Sequence, residues 1–135
     1  MADAVCVLDA SALLAHLNDE PGADVVEDAL LRGAAISAVN LAEVLTKLAE
    51  IGEDPGQVSE TLWRQGLLGA NLEVLPLTAD DAVLIAELQR KTKPHGLSLG
   101  DRACLSLALR LDLPAVTADR SWLRVRVGVK VQTIR

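Results

Sequence analysis

The sequence predicts an α/β fold in which a mostly parallel central sheet lies between two layers of helices, a three-layer α/β/α sandwich. Short apolar runs typical of strands alternate along the chain with segments whose apolar residues recur at helical spacing. Strands that are separated by helices pair in parallel, and the helices then cover both faces of the sheet. The length of 135 residues suits one domain, and we expect a single domain over residues 1–135.

The first half of the chain alternates between strand and helix patterns. A short apolar run from Ala4 to Leu8 is followed by a helical pattern from Ser11 to Leu17. A second helix is expected to end at Arg32-Gly33, with a second strand at Ala34 to Ile36. The clearest helix runs from Ala38 to Glu50, because its apolar residues share one face. These residues are Leu41, Val44, Leu45 and Leu48.

Capping signals mark the helices of the second half. Asp54-Pro55 pairs an N-cap residue with proline at the first helical position, which opens a helix toward Leu68. Thr78 with Asp81, and Ser98 with Asp101, each match the capping box that begins a helix. Strands are expected between and after these helices, the last one in a tail that alternates valine with polar residues. The strand segments are Leu72 to Leu75, Pro114 to Thr117, and the run containing Val125, Val127, Val129 and Val131.

Composition excludes several classes of protein. Trp63 and Trp122 are the only aromatic residues, so stacking of bases on aromatic side chains is not expected. The net charge of −6 argues against a general nucleic-acid coating protein, although it leaves a metal-dependent nuclease open. Cys6 and Cys104 lie in apolar patterns without zinc or disulfide spacing, which predicts two buried, reduced thiols. No segment resembles a secretion signal or membrane span, so we expect a cytoplasmic protein.

Basic residues are concentrated in two runs of the second half. One is Arg90 to His95, and the other extends along Arg120, Arg124, Arg126 and Lys130. Each run suits either a solvated surface or a path for phosphates.

Four carboxylates lie where a strand is expected to pass into a helix or loop. They are Asp9, Glu43, Asp101 and Asp119. Carboxylates gathered in one pocket repel each other by about 4 kcal/mol per pair at 4 Å if the effective dielectric constant is about 20. A hard divalent cation relieves this repulsion, and Mg²⁺ or Mn²⁺ can activate water and stabilise phosphoryl oxygens. The pattern therefore predicts a metal-dependent enzyme acting on a phosphodiester.

Each acid also has a purely structural interpretation. Asp9 can cap the helix that follows it, and Asp101 completes a capping box with Ser98, so pattern alone leaves its role evenly divided. Glu43 with Lys47 has the spacing of an exposed i,i+4 ion pair, which favours a surface role. Other acids, including Asp81, suit helix termini and exposed faces.

Four segments together resemble the PIN-domain family, and within it the VapC-type toxins of toxin–antitoxin pairs. They are VLDASALLAHLNDEPG, ISAVNLAEVLTKL, LSLGDRACLSLAL and PAVTADRSWL, and they cover nearly the whole chain in the order and approximate spacing of the family. The resemblance implies an α/β/α fold with the first and fourth strands adjacent. It also implies a ribonuclease that leaves a 5′-phosphate and a 3′-hydroxyl.

The resemblance further implies which residues form the site. It makes Asp9, Glu43, Asp101 and Asp119 the metal-binding and catalytic set for Mg²⁺ or Mn²⁺. In this hypothesis the three aspartates hold the metal and Glu43 orients or deprotonates the attacking water. Ser11, Asn40 and Thr117 match polar positions that shape the same pocket. Ser121 and Trp122 stand where some relatives have a further acid, so the number of metal ions stays open.

The resemblance implies three partners, namely an RNA substrate, a cognate antitoxin protein and a second copy of the chain in a homodimer. Leu13, Leu14, Leu17 and Trp63 are candidate contact residues, although their pattern favours burial in the core for most of them. A non-catalytic RNA-binding or regulatory module on the same fold is the alternative function. A haloacid-dehalogenase-like phosphatase is disfavoured, because its second aspartate is missing from Asp9-Ala-Ser11.

Overall fold

The computed structural model describes residues 3–135, and within them the chain forms five strands and six α-helices. The strands are β1 (Val7–Leu8), β2 (Ala34–Ser37), β3 (Leu72–Leu75), β4 (Ala115–Thr117) and β5 (Val131–Thr133). The helices are α1 (Ala10–Leu17), α2 (Ala23–Arg32), α3 (Ala38–Glu50), α4 (Pro55–Arg64), α5 (Ala79–Thr92) and α6 (Leu99–Leu111). Two short 3₁₀ helices span Lys93–His95 and Arg120–Arg124.

The strands form one sheet in the order β3-β2-β1-β4-β5, and every neighbouring pair is parallel. The predicted parallel sheet and the predicted adjacency of the first and fourth strands are confirmed. Leu8 of β1 is in register with Ile36 on one side and with Val116 on the other. All strands therefore end at the same edge of the sheet, where β1 lies between β2 and β4.

Two hydrophobic cores cover the two faces of the sheet, because successive strand side chains point in opposite directions. Leu8, Ile36 and Val116 pack with buried residues of α1 to α4. Val7, Ala35 and Ala115 pack on the other face with residues of α5 and α6. This arrangement is the predicted three-layer α/β/α sandwich.

The expected boundaries needed correction at three places. The first strand is only Val7–Leu8, and α4 ends at Arg64, ahead of the positive-φ residues Gly66 and Gly69, instead of reaching Leu68. The last strand begins only at Val131. Val125 and Val127 are buried beside α6 without joining the sheet, so their alternation reflects packing and not strand pairing.

Both cysteines are buried and unpaired, as predicted. Burial raises the pKa of the Cys6 thiol to about 11. Among the helices in residues 3–135, none has the length and apolar character needed to cross a bilayer.

Candidate active site

Asp9 lies directly after β1 and caps α1 from a buried position. Its Oδ1 accepts hydrogen bonds from the Ser11 hydroxyl at 2.7 Å and from the Ala12 amide at 2.8 Å. Its Oδ2 accepts from the Thr117 hydroxyl at 2.5 Å, across the β1–β4 boundary. The Ser11 Oγ also accepts from the Ala118 amide at 2.9 Å. Ser11 and Thr117 therefore fix the Asp9 carboxylate between two neighbouring strand ends.

The pKa of Asp9 is raised from its ordinary 3.8 to about 6. Burial is the main cause, because it penalises the charged form. Hydrogen bonds from Thr117, Ala12 and Ser11 oppose the shift, while the negative charge of Asp101 adds to it. No lysine or arginine among the described residues forms an ion pair with Asp9.

Asn40 positions Glu43 against the start of α6. The buried Asn40 side-chain amide donates to Glu43 Oε1 at 2.7 Å and to the Gly100 carbonyl oxygen at 2.9 Å. The expected surface ion pair between Glu43 and Lys47 is wrong, because Glu43 is half-buried and bonded to Asn40. The helical periodicity of the sequence could not reveal this role of Glu43, because it depends on Asn40, which is anchored to Gly100 in another helix.

Gly100 is a site residue that sequence reasoning did not identify. A Cβ atom at this position would lie 2.5 to 2.6 Å from the carboxylate atoms of Glu43. Any side chain at position 100 would therefore force Glu43 to move. The only sequence signal was the glycine itself, at the second position of a helix, where a glycine has no general advantage.

Asp101 lies at the beginning of α6 and closes the predicted capping box. Its Oδ2 accepts from the Ser98 amide at 2.9 Å, and its own amide donates to the Ser98 hydroxyl at 3.1 Å. Asp101 is half-buried, and its Oδ1 accepts no hydrogen bond from residues 3–135.

The buried Cys104 thiol lies within electrostatic range of three of the acids. Its pKa is raised well above the ordinary value, first by burial and then by the negative charges of Asp9, Asp101 and Glu43. The negative charges of all three carboxylates therefore act on one buried thiol of α6.

Asp119 follows β4 at the same edge of the sheet, but its side chain is exposed. Its Oδ1 accepts from both the amide of Ser121 at 2.9 Å and the hydroxyl of Ser121 at 2.7 Å. The backbone amide of Asp119 donates to the Thr117 hydroxyl oxygen at 3.1 Å, which links it to Asp9 through Thr117. Asp119 thus lies next to Thr117, at the same edge of the sheet as Asp9, with its side chain in solvent.

The donor set fits a hard divalent cation, because carboxylate oxygens are the ligands that Mg²⁺ and Mn²⁺ prefer. Glu43, Asp101 and Asp119 each hold one carboxylate oxygen in a hydrogen bond and keep the other free of hydrogen bonds to residues 3–135. Asn40 Oδ1 is buried and has no hydrogen-bond partner in the same part of the chain. Among the described residues, no group of three acidic, histidine or cysteine side chains is already arranged to hold a metal ion. Water molecules or rotation of these side chains would complete the coordination.

Asp81 shows that an acid at a helix terminus can have a different role. It caps α5 as predicted, but it is buried and not exposed. Its carboxylate accepts from the Ser106 hydroxyl at 2.7 Å and pairs with Arg110 at 3.1 Å. Because it is paired, Asp81 belongs to the packing of α5 against α6.

Known proteins resemble this chain in sequence pattern and in fold. A sequence model of the PIN domain matches residues 6–128. No curated protein matches the sequence significantly.

Several solved structures have the same fold at low sequence identity. One is a toxin–antitoxin complex from Klebsiella pneumoniae, with 20% identity and a TM-score of 0.72, covering 96% of this chain and 98% of that one. Another is VapC20 from Mycobacterium tuberculosis, a sarcin-ricin loop cleaving toxin, with 15% identity and a TM-score of 0.69, covering 93% and 98%. A third is PAE2754 from Pyrobaculum aerophilum, with 25% identity and a TM-score of 0.59, covering 97% and 92%.

Proposed function

Because the chain belongs to the PIN-domain family, we propose that it is a metal-dependent endoribonuclease and the toxin of a toxin–antitoxin pair. One observation carries this proposal. Asn40 links Glu43 to Gly100, the neighbour of Asp101, the charge of Asp101 acts on Asp9, and none of the three acids has a basic partner among the described residues. Such an arrangement is costly for a protein that only binds polyanionic RNA, since the acids repel each other and the phosphates.

Asp9, Asp101 and Asp119 would hold the Mg²⁺ or Mn²⁺ ion. When bound, the ion neutralises the acids, lowers the pKa of water and stabilises charge on the phosphoryl oxygens. Asp9 is fixed by Ser11 and Thr117, whereas Asp101 and Asp119 each present one free oxygen beside it.

Glu43 is the proposed general base. Asn40 holds Glu43 Oε1, which leaves Oε2 to orient the attacking water and accept its proton. Attack by this water in line with the leaving 3′-oxygen breaks the P–O3′ bond, so the products carry a 5′-phosphate and a 3′-hydroxyl.

Basic side chains beside the pocket are suited to positioning the phosphate backbone. The 3₁₀ helix Lys93–His95 packs against the 3₁₀ helix Arg120–Arg124, which begins directly after Asp119. Phosphate contacts of this kind set the register of a strand and do not read its sequence.

We also propose a cognate antitoxin and a second copy of the chain as protein partners, in the cytoplasm. The Klebsiella pneumoniae structure of the same fold is a toxin–antitoxin complex. Leu31 and Trp63 are large apolar residues that are 74% and 50% exposed, so they are available for such contacts. Leu13 is excluded as a contact residue because it is fully buried.

The experiment is incubation of the purified chain, separated from any co-purified protein under denaturing conditions and refolded, with total cellular RNA. Mg²⁺, Mn²⁺ or a chelator is added in parallel, and the ends of the products are identified by enzymatic labelling. The proposal predicts cleavage with either metal, none with chelator, and products with a 5′-phosphate.

Failure to cut any RNA in the presence of metal would overturn the proposal. If the same protein retained RNA in a gel-shift experiment, the non-catalytic RNA-binding module would replace it.

A further inference from the structure

The chain that follows β5 packs against the candidate active site. The Ile134 amide donates to the Thr117 carbonyl oxygen at 3.1 Å, which continues the parallel pairing of β5 with β4. Ile134 is buried, and its side chain belongs to the core between the sheet and helices α1 to α4. The end of β4 is therefore held by β1 on one side and by Ile134 on the other.

Thr117 joins two of the acids. Its hydroxyl donates to the Asp9 carboxylate and accepts from the Asp119 amide at 3.1 Å. Among residues 3–135, the Asp119 carboxylate is hydrogen-bonded only to Ser121, so its place depends on the backbone between residues 117 and 121. A shift of Thr117 would therefore change the separation of the Asp9 and Asp119 carboxylates.

Gly22, in the turn before α2, is in direct contact with Ile134. A Cβ atom at position 22 would lie 2.6 Å from the Ile134 carbonyl oxygen and 2.7 Å from the Ile134 Cγ1 atom. The backbone of Gly22 also has a φ of 95°, which residues other than glycine rarely adopt. Glycine is thus required both by the backbone angle and by the close approach of Ile134.

Partly exposed contacts join the same segment to the loop that carries Asp119. The side chain of Arg120, which directly follows Asp119, donates to the Arg135 carbonyl oxygen at 3.2 Å. The Arg135 side chain donates to the Pro21 carbonyl oxygen at 2.8 Å and pairs with Glu20 at 3.5 Å. Ion pairs in such positions contribute little to stability, so the buried contact of Ile134 is the stronger restraint.

From these contacts we propose that Gly22 and Ile134 are positioning residues of the metal site. Their contact sets the place of Thr117, and Thr117 in turn sets the separation of Asp9 and Asp119. Mg²⁺ requires nearly ideal octahedral geometry, so the affinity of the site is sensitive to small shifts of its ligands. The inference rests on the proposed metal-dependent function, and it adds two residues that act through Thr117 and not on the ion.

The first test measures Mn²⁺ binding by electron paramagnetic resonance, without RNA, in Gly22→Ala and Gly52→Ala. Gly52 has a similar φ of 98°, but a Cβ atom there would have no neighbour within 4 Å. Both variants therefore strain the backbone in a similar way, and only Gly22→Ala displaces Ile134. We expect Gly22→Ala to raise the Kd for Mn²⁺ about tenfold, as is typical when a group that orients a metal ligand is changed. Gly52→Ala should bind Mn²⁺ with the wild-type Kd.

The Kd separates a positioning role from a purely structural one. Circular dichroism gives the folded fraction of each variant, and binding is compared at a temperature where both variants are fully folded. Under these conditions a loss of stability alone leaves the Kd unchanged, because the binding-competent fraction is the same in both variants.

The second test follows the backbone amide of Asp119 by NMR in the metal-free protein. This amide donates to the Thr117 hydroxyl oxygen, so its chemical shift is sensitive to the position of Thr117. We expect the Asp119 amide signal to move in Gly22→Ala and to stay at its wild-type position in Gly52→Ala. This measurement requires neither metal nor RNA.

Ile134→Val provides a milder change in case Gly22→Ala does not fold. It removes one methyl group from the contact and retains the amide bond to Thr117. Ile85→Val is the control, since Ile85 is equally buried, at 6% exposure, but lies in α5. Ile134→Val should raise the Kd for Mn²⁺ less than Gly22→Ala does, and Ile85→Val should leave the Kd unchanged.

Two results would overturn the inference, and they are distinguishable. If the wild type neither binds Mn²⁺ nor cuts RNA, the proposed function and the positioning role fail together. If the wild type does both, but Ile134→Val and every folded Gly22→Ala sample bind Mn²⁺ with the wild-type Kd, only the positioning role fails. The contact between Gly22 and Ile134 would then serve the fold alone.

Discussion

Asn40 and Gly100 lie 60 residues apart in sequence, and the side-chain amide of Asn40 donates to the backbone carbonyl of Gly100 at 2.9 Å. The same amide group holds Glu43, so a single buried side chain joins the proposed general base to the helix that carries Asp101. The relative position of two acids from different segments thus depends on one amide and on the missing side chain of Gly100.

Substitution of Gly100 by alanine should damage activity without unfolding the protein. The new Cβ would lie about 2.5 Å from the Glu43 carboxylate, so Glu43 must move, whereas alanine favours the helix. We expect kcat to fall by about 100-fold, because displacement of a catalytic group by about 1 Å has effects of that size.

Gly56→Ala is the matched control, since Gly56 is also the second residue of a helix and its added Cβ would come no closer than 3.3 Å to another group. Circular dichroism and cleavage rates of both variants are the measurements. Wild-type activity in Gly100→Ala would show that the position of Glu43 is irrelevant to the reaction.

The metal-free protein should lose stability as the pH rises from about 4 to about 6. The pKa of Asp9 is about 6 in the folded chain and 3.8 ordinarily, so the folded state binds more protons in this window. Stability therefore decreases with rising pH, by about 3 kcal/mol in total once Asp9 is ionised in both states.

Urea denaturation in chelator at several pH values, for the wild type and Asp9→Asn, isolates this contribution. The difference in the free energy of unfolding between the two proteins should change across the window and be constant above about pH 7. A difference that does not vary with pH would mean that Asp9 is not perturbed.

Asp81→Asn should reduce stability and leave the catalytic reaction intact. Burial alone would raise the pKa of Asp81, but hydrogen bonds from Thr78 and Ser106 and the charge of Arg110 lower it overall. Loss of the charge in a buried, hydrogen-bonded position should cost about 2 kcal/mol, with allowance for the partly exposed Arg110.

A lowered pKa stabilises the fold above the ordinary pKa and loses this effect as the pH falls through the folded value. The difference between wild type and Asp81→Asn should thus be present at pH 7 and shrink in acid. Asp80→Asn, which changes the exposed neighbour, is the control. Equal urea midpoints for both variants at pH 7 would contradict the structural role of Asp81.

Local signals in the sequence predicted most of the fold. The capping boxes at Thr78 and Ser98 and the Asp54-Pro55 pair begin helices where expected, because each signal acts within one turn of the chain. The ends of elements were harder to predict. Val125 and Val127 alternate like a strand, yet they pack beside α6, and only tertiary contacts distinguish the two cases.

Local signals in the sequence also predicted part of the candidate site. Asp9 and Asp119 follow apolar strands, which points to one edge of a parallel sheet. Glu43 looked like a surface residue until a family resemblance was considered, because its partner Asn40 is anchored to Gly100 in another helix. The role of Gly100 could not be predicted, since it consists of an absent side chain facing a residue distant in sequence.

The most direct test of the central claim compares Asp101→Asn with Asp112→Asn in metal-dependent RNA cleavage. Asn at position 101 keeps the size of the side chain and an oxygen for the Ser98 cap, but removes the charge beside Asp9. Asp112 ends the same helix at a positive φ of 55°, which asparagine tolerates well. We predict that Asp101→Asn lowers the cleavage rate by at least about 100-fold while Asp112→Asn cleaves at the wild-type rate. Full activity of Asp101→Asn with unchanged metal dependence would contradict the assignment of this pocket as the active site.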